Sequence, residues 1–121
     1  IADLEKLADA IYERRLYGEE LSVKAEQGYT KGMTQNRGLG YLMINDNDRL
    51  SGGLFGKGSF GHCDYTGTSM FFDREKQLYV VLLTNTARFA YREHPTHEHV
   101  RGRSLELRNS VHRAIKTDLG L

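Results

Sequence analysis

The run Leu78-Tyr79-Val80-Val81-Leu82-Leu83 constrains the fold more than any other stretch. Its apolar residues do not alternate with polar ones, so it does not read as a strand with one wet face. A strand covered on both faces is predicted instead. Thr68 to Phe72 upstream reads as another strand, and Asp73-Arg74-Glu75-Lys76 between them is a polar turn. Two such strands joined by a short polar connection form an antiparallel hairpin most simply.

The flanks supply cover for that sheet. Ile1, Leu4, Leu7, Ala8 and Ile11 share one face of a predicted helix over about residues 2 to 16, with Gly18 as its stop. Ser22 is placed to cap a second short helix through about Glu26. Leu39, Tyr41, Leu42, Met43 and Ile44 read as a strand running into the turn Asn45-Asp46-Asn47-Asp48, and a glycine-dense loop follows from Ser51 through Gly61. After Thr84-Asn85 the chain is expected to be polar and irregular through about Gly102. Leu107, Val111, Ala114 and Ile115 then mark a final helix over about residues 103 to 117. The predicted fold class is α+β, an antiparallel sheet flanked by helices, in a single domain or fragment spanning residues 1–121.

Bulk properties exclude several functions. Seventeen basic residues against sixteen acidic ones leave a net charge of +1, so no whole-molecule field favours nucleic acid. The Lys and Arg residues concentrated after Thr86 read as a solvated helix face plus a polar loop. No run is long and apolar enough for a membrane span. Cys63, the sole cysteine, allows neither an internal disulfide nor a thiolate cluster, and it leaves the compartment open between bacterial envelope and cytoplasm. The chain opens on Ile1 rather than methionine and is expected to be a section of a longer protein.

Three motifs are weighed and set aside. Gly56-Lys57-Gly58-Ser59-Phe60-Gly61 fits G-x-G-x-x-G, but no helix is expected after it and the neighbouring strands hold no lysine, so a flexible loop is the expected reading. His94, His97 and His99 could reach one zinc or nickel ion, yet beside Pro95 they read as a solvated loop, and no metal or other cofactor is expected. No serine sits in G-x-S-x-G.

The stretch Phe60-Gly61-His62-Cys63-Asp64-Tyr65-Thr66-Gly67-Thr68-Ser69, followed by Val80-Val81-Leu82-Leu83-Thr84-Asn85, resembles the third-motif region of the penicillin-recognising serine hydrolases. That group comprises serine β-lactamases, D-Ala-D-Ala carboxypeptidases and related esterases. Further landmarks occur in the same order: Ala2-Asp3-Leu4, Leu21-Ser22, Gly38-Leu39-Gly40-Tyr41 and His94-Pro95-Thr96. The resemblance covers nearly the whole chain and implies the C-terminal portion of a β-lactamase/transpeptidase-like fold.

By that resemblance His62 takes the cationic or hydrogen-bonding position facing the substrate, where Lys is more usual. The backbone N–H of Tyr65 takes the oxyanion-hole position. Cys63, Asp64, Thr66 and Gly67 become substrate-binding positions. Two residues depart from the pattern: Cys63 stands where Thr or Ser is usual, and Asp64 stands where Gly is usual. The family's Ser-x-x-Lys nucleophile motif and its Tyr-x-Asn or Ser-x-Asn motif are both missing from this sequence. The expected partners are therefore a small-molecule or peptide substrate met by the parent protein, the N-terminal part of the same fold, and another copy of the chain through self-association.

Overall fold

The computed structural model describes residues 1–45, 49–86 and 96–121, with His97 and His99 described by backbone only. In chain order the elements are α1 (Ala2–Tyr12), α2 (Glu19–Ala25), β1 (Leu42–Met43), β2 (Phe60–Cys63), β3 (Ser69–Asp73), β4 (Leu78–Leu82) and α3 (His97–Leu119). The strands form one antiparallel sheet in the order β1-β2-β3-β4. The hairpin predicted from the apolar run is β3–β4, with Phe71 opposite Val80.

Strand β2 was not expected, because its sequence falls partly in the glycine-dense stretch read as a flexible loop. Two features explain the difference. Gly61 pairs with Phe71 where an added Cβ would lie 2.1 Å from the Met70 carbonyl oxygen, so this central position accepts only glycine. The preceding residues 51–59 are packed rather than free: Ser51, Leu54, Phe55 and Ser59 are all buried. Asp73 anchors this loop from the end of β3, accepting hydrogen bonds from the backbone N–H groups of Gly56 and Lys76 and from Lys76 Nζ.

Each face of the sheet carries its own core. Ala8 and Ile11 of α1 pack on Met43, Phe60 and Phe72 on one side, with Tyr12 and Tyr79 closing the edge. On the other side Ile44, Leu54, Phe55 and Phe71 pack with Leu78, Val80 and Ile115 of α3. Cover on both faces of β4 is what its unbroken apolar sequence required, although its residues are half-buried rather than sealed. Tyr79 reaches across to α1, donating its hydroxyl to Asp9 at 2.6 Å. That bond, with burial, pushes the Tyr79 pKa up to about 12.

The helices differ from their sequence pattern in three ways. α1 ends at Tyr12 rather than near residue 16; Arg14, with φ 57°, turns the chain after it, and Gly18, with φ 76°, precedes α2 instead of stopping α1. The guanidinium of Arg14 meets Glu19 and Glu26 there, which ties the turn to α2. Ser22 does not cap α2; the helix starts at Glu19 after Gly18, and Ser22 is buried inside it. α3 begins at His97, ahead of the predicted start, and it buries a different face from the one its apolar residues suggested. Val100, Ser104, Arg108 and His112 point inward, while Leu107 and Ala114 are exposed. Ile1 and Leu7 of the first helix are likewise exposed. Turn residues 46–48 and residues 88, 92, 94 and 95 lie outside the described residues.

Arg74, in the β3–β4 turn, joins more elements than any other side chain described. It donates to the carbonyls of Tyr12 and of Ile11, which also accepts the Arg14 N–H, at the C-terminal end of α1. Its fork also meets both carboxylate oxygens of Glu26 just beyond α2, and its guanidinium lies 5.0 Å from the Tyr12 ring and 5.5 Å from the Phe60 ring. Burial raises the Glu26 pKa, but the bonds from Arg74 and Arg14 outweigh it and hold the carboxyl below its ordinary value.

Arg74→Met is expected to cost about 2–3 kcal/mol in urea unfolding, the scale of lost charged hydrogen bonds. Combined with Glu26→Gln the loss should be clearly less than additive, and additive losses would show that the two side chains do not act together. Asp73 generates a pH prediction. Burial raises its pKa, yet the hydrogen bonds from Gly56 and Lys76 with the Ser59 hydroxyl leave it below the ordinary value of 3.8. A carboxyl depressed on folding adds stability that is present above its unfolded pKa and is lost as pH falls through the folded one. Unfolding followed from pH 5 downward should therefore be less steep in Asp73→Asn than in the unaltered chain, and equal slopes would remove Asp73 from the acid-sensitive set.

Candidate functional site

β2 and the turn after it carry His62, Cys63, Asp64, Tyr65, Thr66 and Gly67. Asp64 N–H donates to the Thr68 carbonyl and Gly67 N–H to the Asp64 carbonyl, so the chain reverses tightly between β2 and β3. Gly67 has φ +92°, and a Cβ there would come within 2.5 Å of Thr84 Oγ1, which explains the residue on two counts. The Thr66 carbonyl accepts from Thr84 Oγ1, Thr86 Oγ1 and the Thr86 N–H. Ser104 of α3 donates to the Tyr65 carbonyl at 3.2 Å and also meets the Thr86 hydroxyl. The turn is thereby fastened to the segment after β4 and to α3.

His62, Cys63, Asp64 and Tyr65 line one side of an open cavity of about 650 Å³. Its other walls are Gln35, Arg37 and Leu42 leading into β1, Arg49 and Leu50, and Glu98, Arg101, Ser104, Leu105 and Arg108 on the first turns of α3. A smaller hollow of about 190 Å³ lies on the opposite side of His62, Cys63 and Asp64, floored by Leu4, Met70, Val81 and Leu83. The end of β2 is thus reached from both faces of the sheet, with His62 and Asp64 exposed and Cys63 and Tyr65 half-buried. Thr66 and Gly67 do not line either hollow. They hold the turn behind it.

The residues that complete the cavity wall were not singled out in the sequence. Arg37 places Nη1 3.5 Å from His62 Nε2 and donates from Nη2 to Gln35. Arg108, expected on a solvated face, is only 3% exposed, and its Nε donates to the Leu50 carbonyl at 2.9 Å. Asn109 and Lys116 bond the carbonyls of Arg49 and Gly53, so three side chains of α3 grip the loop that borders the cavity. The sequence signal for this was available: Val100, Ser104, Arg108 and His112 recur every four residues, but their polarity concealed the inward stripe.

The histidine cluster fares differently. His97 and His99 lie on helical backbone, and positions two apart on a helix do not share a face. They are therefore carried by a helix rather than by the expected loop, and His94 lies outside the described residues. Among the described residues no group of three or more His, Cys, Asp or Glu is placed to hold a metal ion.

The wall has a recognisable chemical character. His62, Tyr65 and the side chains of Arg37, Arg49 and Arg101 line one hollow at the end of an antiparallel strand together with Asp64 and Glu98, so both signs of charge are present there. No helix among the described residues is long and apolar enough to cross a membrane. Comparison with known proteins gave no significant match among curated sequences or solved structures. The beta-lactamase family model, in contrast, matches residues 1–101, which takes in α1, α2, the whole sheet, the β2–β3 turn and the start of α3. The chain belongs to the beta-lactamase family.

Proposed function

We propose that this chain forms one wall of the active-site cleft of a serine hydrolase that works through an acyl-enzyme on an amide, ester or β-lactam carbonyl. The observation that carries the reading is the placement of His62 through Tyr65 along one side of the 650 Å³ cavity. In this reading a serine oxygen supplied from outside the chain adds to the substrate carbonyl carbon, and the negative charge gathers on the carbonyl oxygen. The Tyr65 amide stabilises that oxygen. Collapse then expels the leaving group with a proton, and water hydrolyses the acyl-enzyme. Neither Ser-x-x-Lys nor a Tyr-x-Asn or Ser-x-Asn motif is present in the sequence, so the nucleophile and its proton partners come from the missing N-terminal part of the fold.

Two surfaces fit that partner. β4 closes the sheet order, so its outer edge pairs with no strand among the described residues. Leu107 and Ala114 of α3, seven positions apart on one side of the helix, are both exposed. An open strand edge and an apolar helix face favour association, with the missing part or with another copy of the chain. A second reading is favoured by Asp64: an exposed carboxylate next to the Tyr65 amide opposes the negative charge an oxyanion hole must stabilise. On that reading the parent is a non-catalytic module that binds peptide or cell-wall fragments, or assembles.

The chain alone should take no adduct from a fluorophosphonate or a fluorescent penicillin, while the intact parent should be acylated stoichiometrically, as read by intact mass. A parent that never acylates sinks the hydrolase reading. Asp64→Gly in the parent is expected to raise turnover by about tenfold or more, since a unit charge a few ångströms away is removed. Absence of turnover in both forms would leave the binding module.

A further inference from the structure

The two peptide planes that flank the Cα of Tyr65 are each fixed by a hydrogen bond. In the upstream plane the Asp64 carbonyl accepts the Gly67 N–H at 3.0 Å, and the Asp64 N–H just before it donates to the Thr68 carbonyl at 2.8 Å. No peptide bond among the described residues is cis, and in a planar trans peptide the C=O and the N–H point opposite ways. The Asp64 carbonyl faces into the turn toward Gly67. The Tyr65 N–H, which shares its plane, is therefore directed out of the turn, on the stretch that lines the cavity.

The downstream plane is set from α3. Ser104 donates from Oγ to the Tyr65 carbonyl at 3.2 Å. Its side chain is itself held: Ser104 is only 4% exposed, and its hydroxyl meets Thr86 Oγ1, while the Thr86 N–H donates to the next carbonyl along, that of Thr66. One helical turn earlier Val100 is fully buried and packs against Tyr65. Two residues on one face of α3 thus hold Tyr65, one by apolar contact and one through its carbonyl. With both flanking planes set, the two soft dihedrals of Tyr65 have little freedom left. Ser104 lies beyond residues 1–101, where the family model matches, so its role rests on these contacts alone.

Resting on the cleft proposed above, we infer that Ser104 is a positioning residue for the reaction: through the Tyr65 carbonyl it aims the Tyr65 N–H at the oxygen on which charge gathers. Without the hydroxyl the plane between Tyr65 and Thr66 can rotate, and the N–H spends part of its time off the line to that oxygen. The loss falls on the transition state, because a preorganised donor is worth most where charge develops and little against a neutral carbonyl. Substrate binding is left nearly unchanged. Ser104 acts through Tyr65 rather than on the substrate.

The test has two arms. In the chain itself, amide nitrogen relaxation should show Tyr65 in one conformation, without exchange on the microsecond-to-millisecond scale. Ser104→Ala, which suits a helix, should bring exchange broadening at Tyr65 and Thr66 while Phe71 and Val80 in the hairpin stay sharp. Ser104→Thr keeps the hydroxyl and should remove the broadening. In the intact parent, with a fluorescent penicillin as substrate, Ser104→Ala is expected to lower the acylation rate constant about tenfold and to leave the substrate dissociation constant within about twofold. Ser104→Thr should recover most of that rate. Unchanged acylation, a loss of binding as large as the loss of rate, a loss that Ser104→Thr does not recover, or exchange at Tyr65 in the unaltered chain each overturn the assignment. If Ser104→Ala fails to fold, Ser104→Cys, which keeps the shape and weakens the donor, takes its place in both arms. An unaltered parent that does not acylate sinks the hydrolase reading, and the relaxation of Tyr65 in the chain then decides alone whether Ser104 fixes that amide.

Discussion

Arg74 bonds α1, the residue after α2 and the β3–β4 turn to one another at a single point. It satisfies the open carbonyl end of α1, pairs with Glu26 beyond α2, and lies against the rings of Tyr12 and Phe60. Phe60 begins β2, the strand that ends at His62 and Cys63, and it stacks on Phe72 of β3 with ring centres 5.1 Å apart. One guanidinium thus adds a polar anchor to the apolar packing of Ala8 and Ile11 of α1 on Met43, Phe60 and Phe72. Ion pairs of this type stabilise because each charge is met by several partners in fixed geometry, which offsets the cost of partial burial.

The opposite face is organised by polar contacts as much as by apolar ones. α3 meets Phe71 and Phe55 with His112, while Arg108, Asn109 and Lys116 hold three carbonyls of residues 49–53. A helix that grips a loop through backbone carbonyls fixes where that loop runs, whatever the loop's own side chains are. This matters for function because the same helix contributes Ser104 to the β2–β3 turn and borders the cavity. The site is built where three otherwise irregular segments are pinned to α3 and β2.

Much of this was legible in the sequence. The β3–β4 hairpin followed from Leu78 to Leu83 and the polar turn, the two helical flanks from their apolar spacing, and the family from the ordered motif around His62 to Ser69. What was not legible has physical causes. β2 was hidden because Gly61 is there for close packing, which in sequence looks like flexibility. The inward face of α3 was hidden because its residues are Ser, Arg and His, whose burial is made tolerable by partners far away in the chain. Arg37 was hidden because its contact with His62 spans 25 positions.

The sequence by itself determined local conformation and kinship: period, turn chemistry and the motif order depend on residues near one another in the chain. Only the tertiary structure decided which side of α3 is covered, that loop 51–59 is part of the core, and that Arg37 stands beside His62. These outcomes depend on hydrogen bonds and ring contacts between distant segments. Their free energy exists only once the sheet has brought those segments together, so no local pattern can carry it.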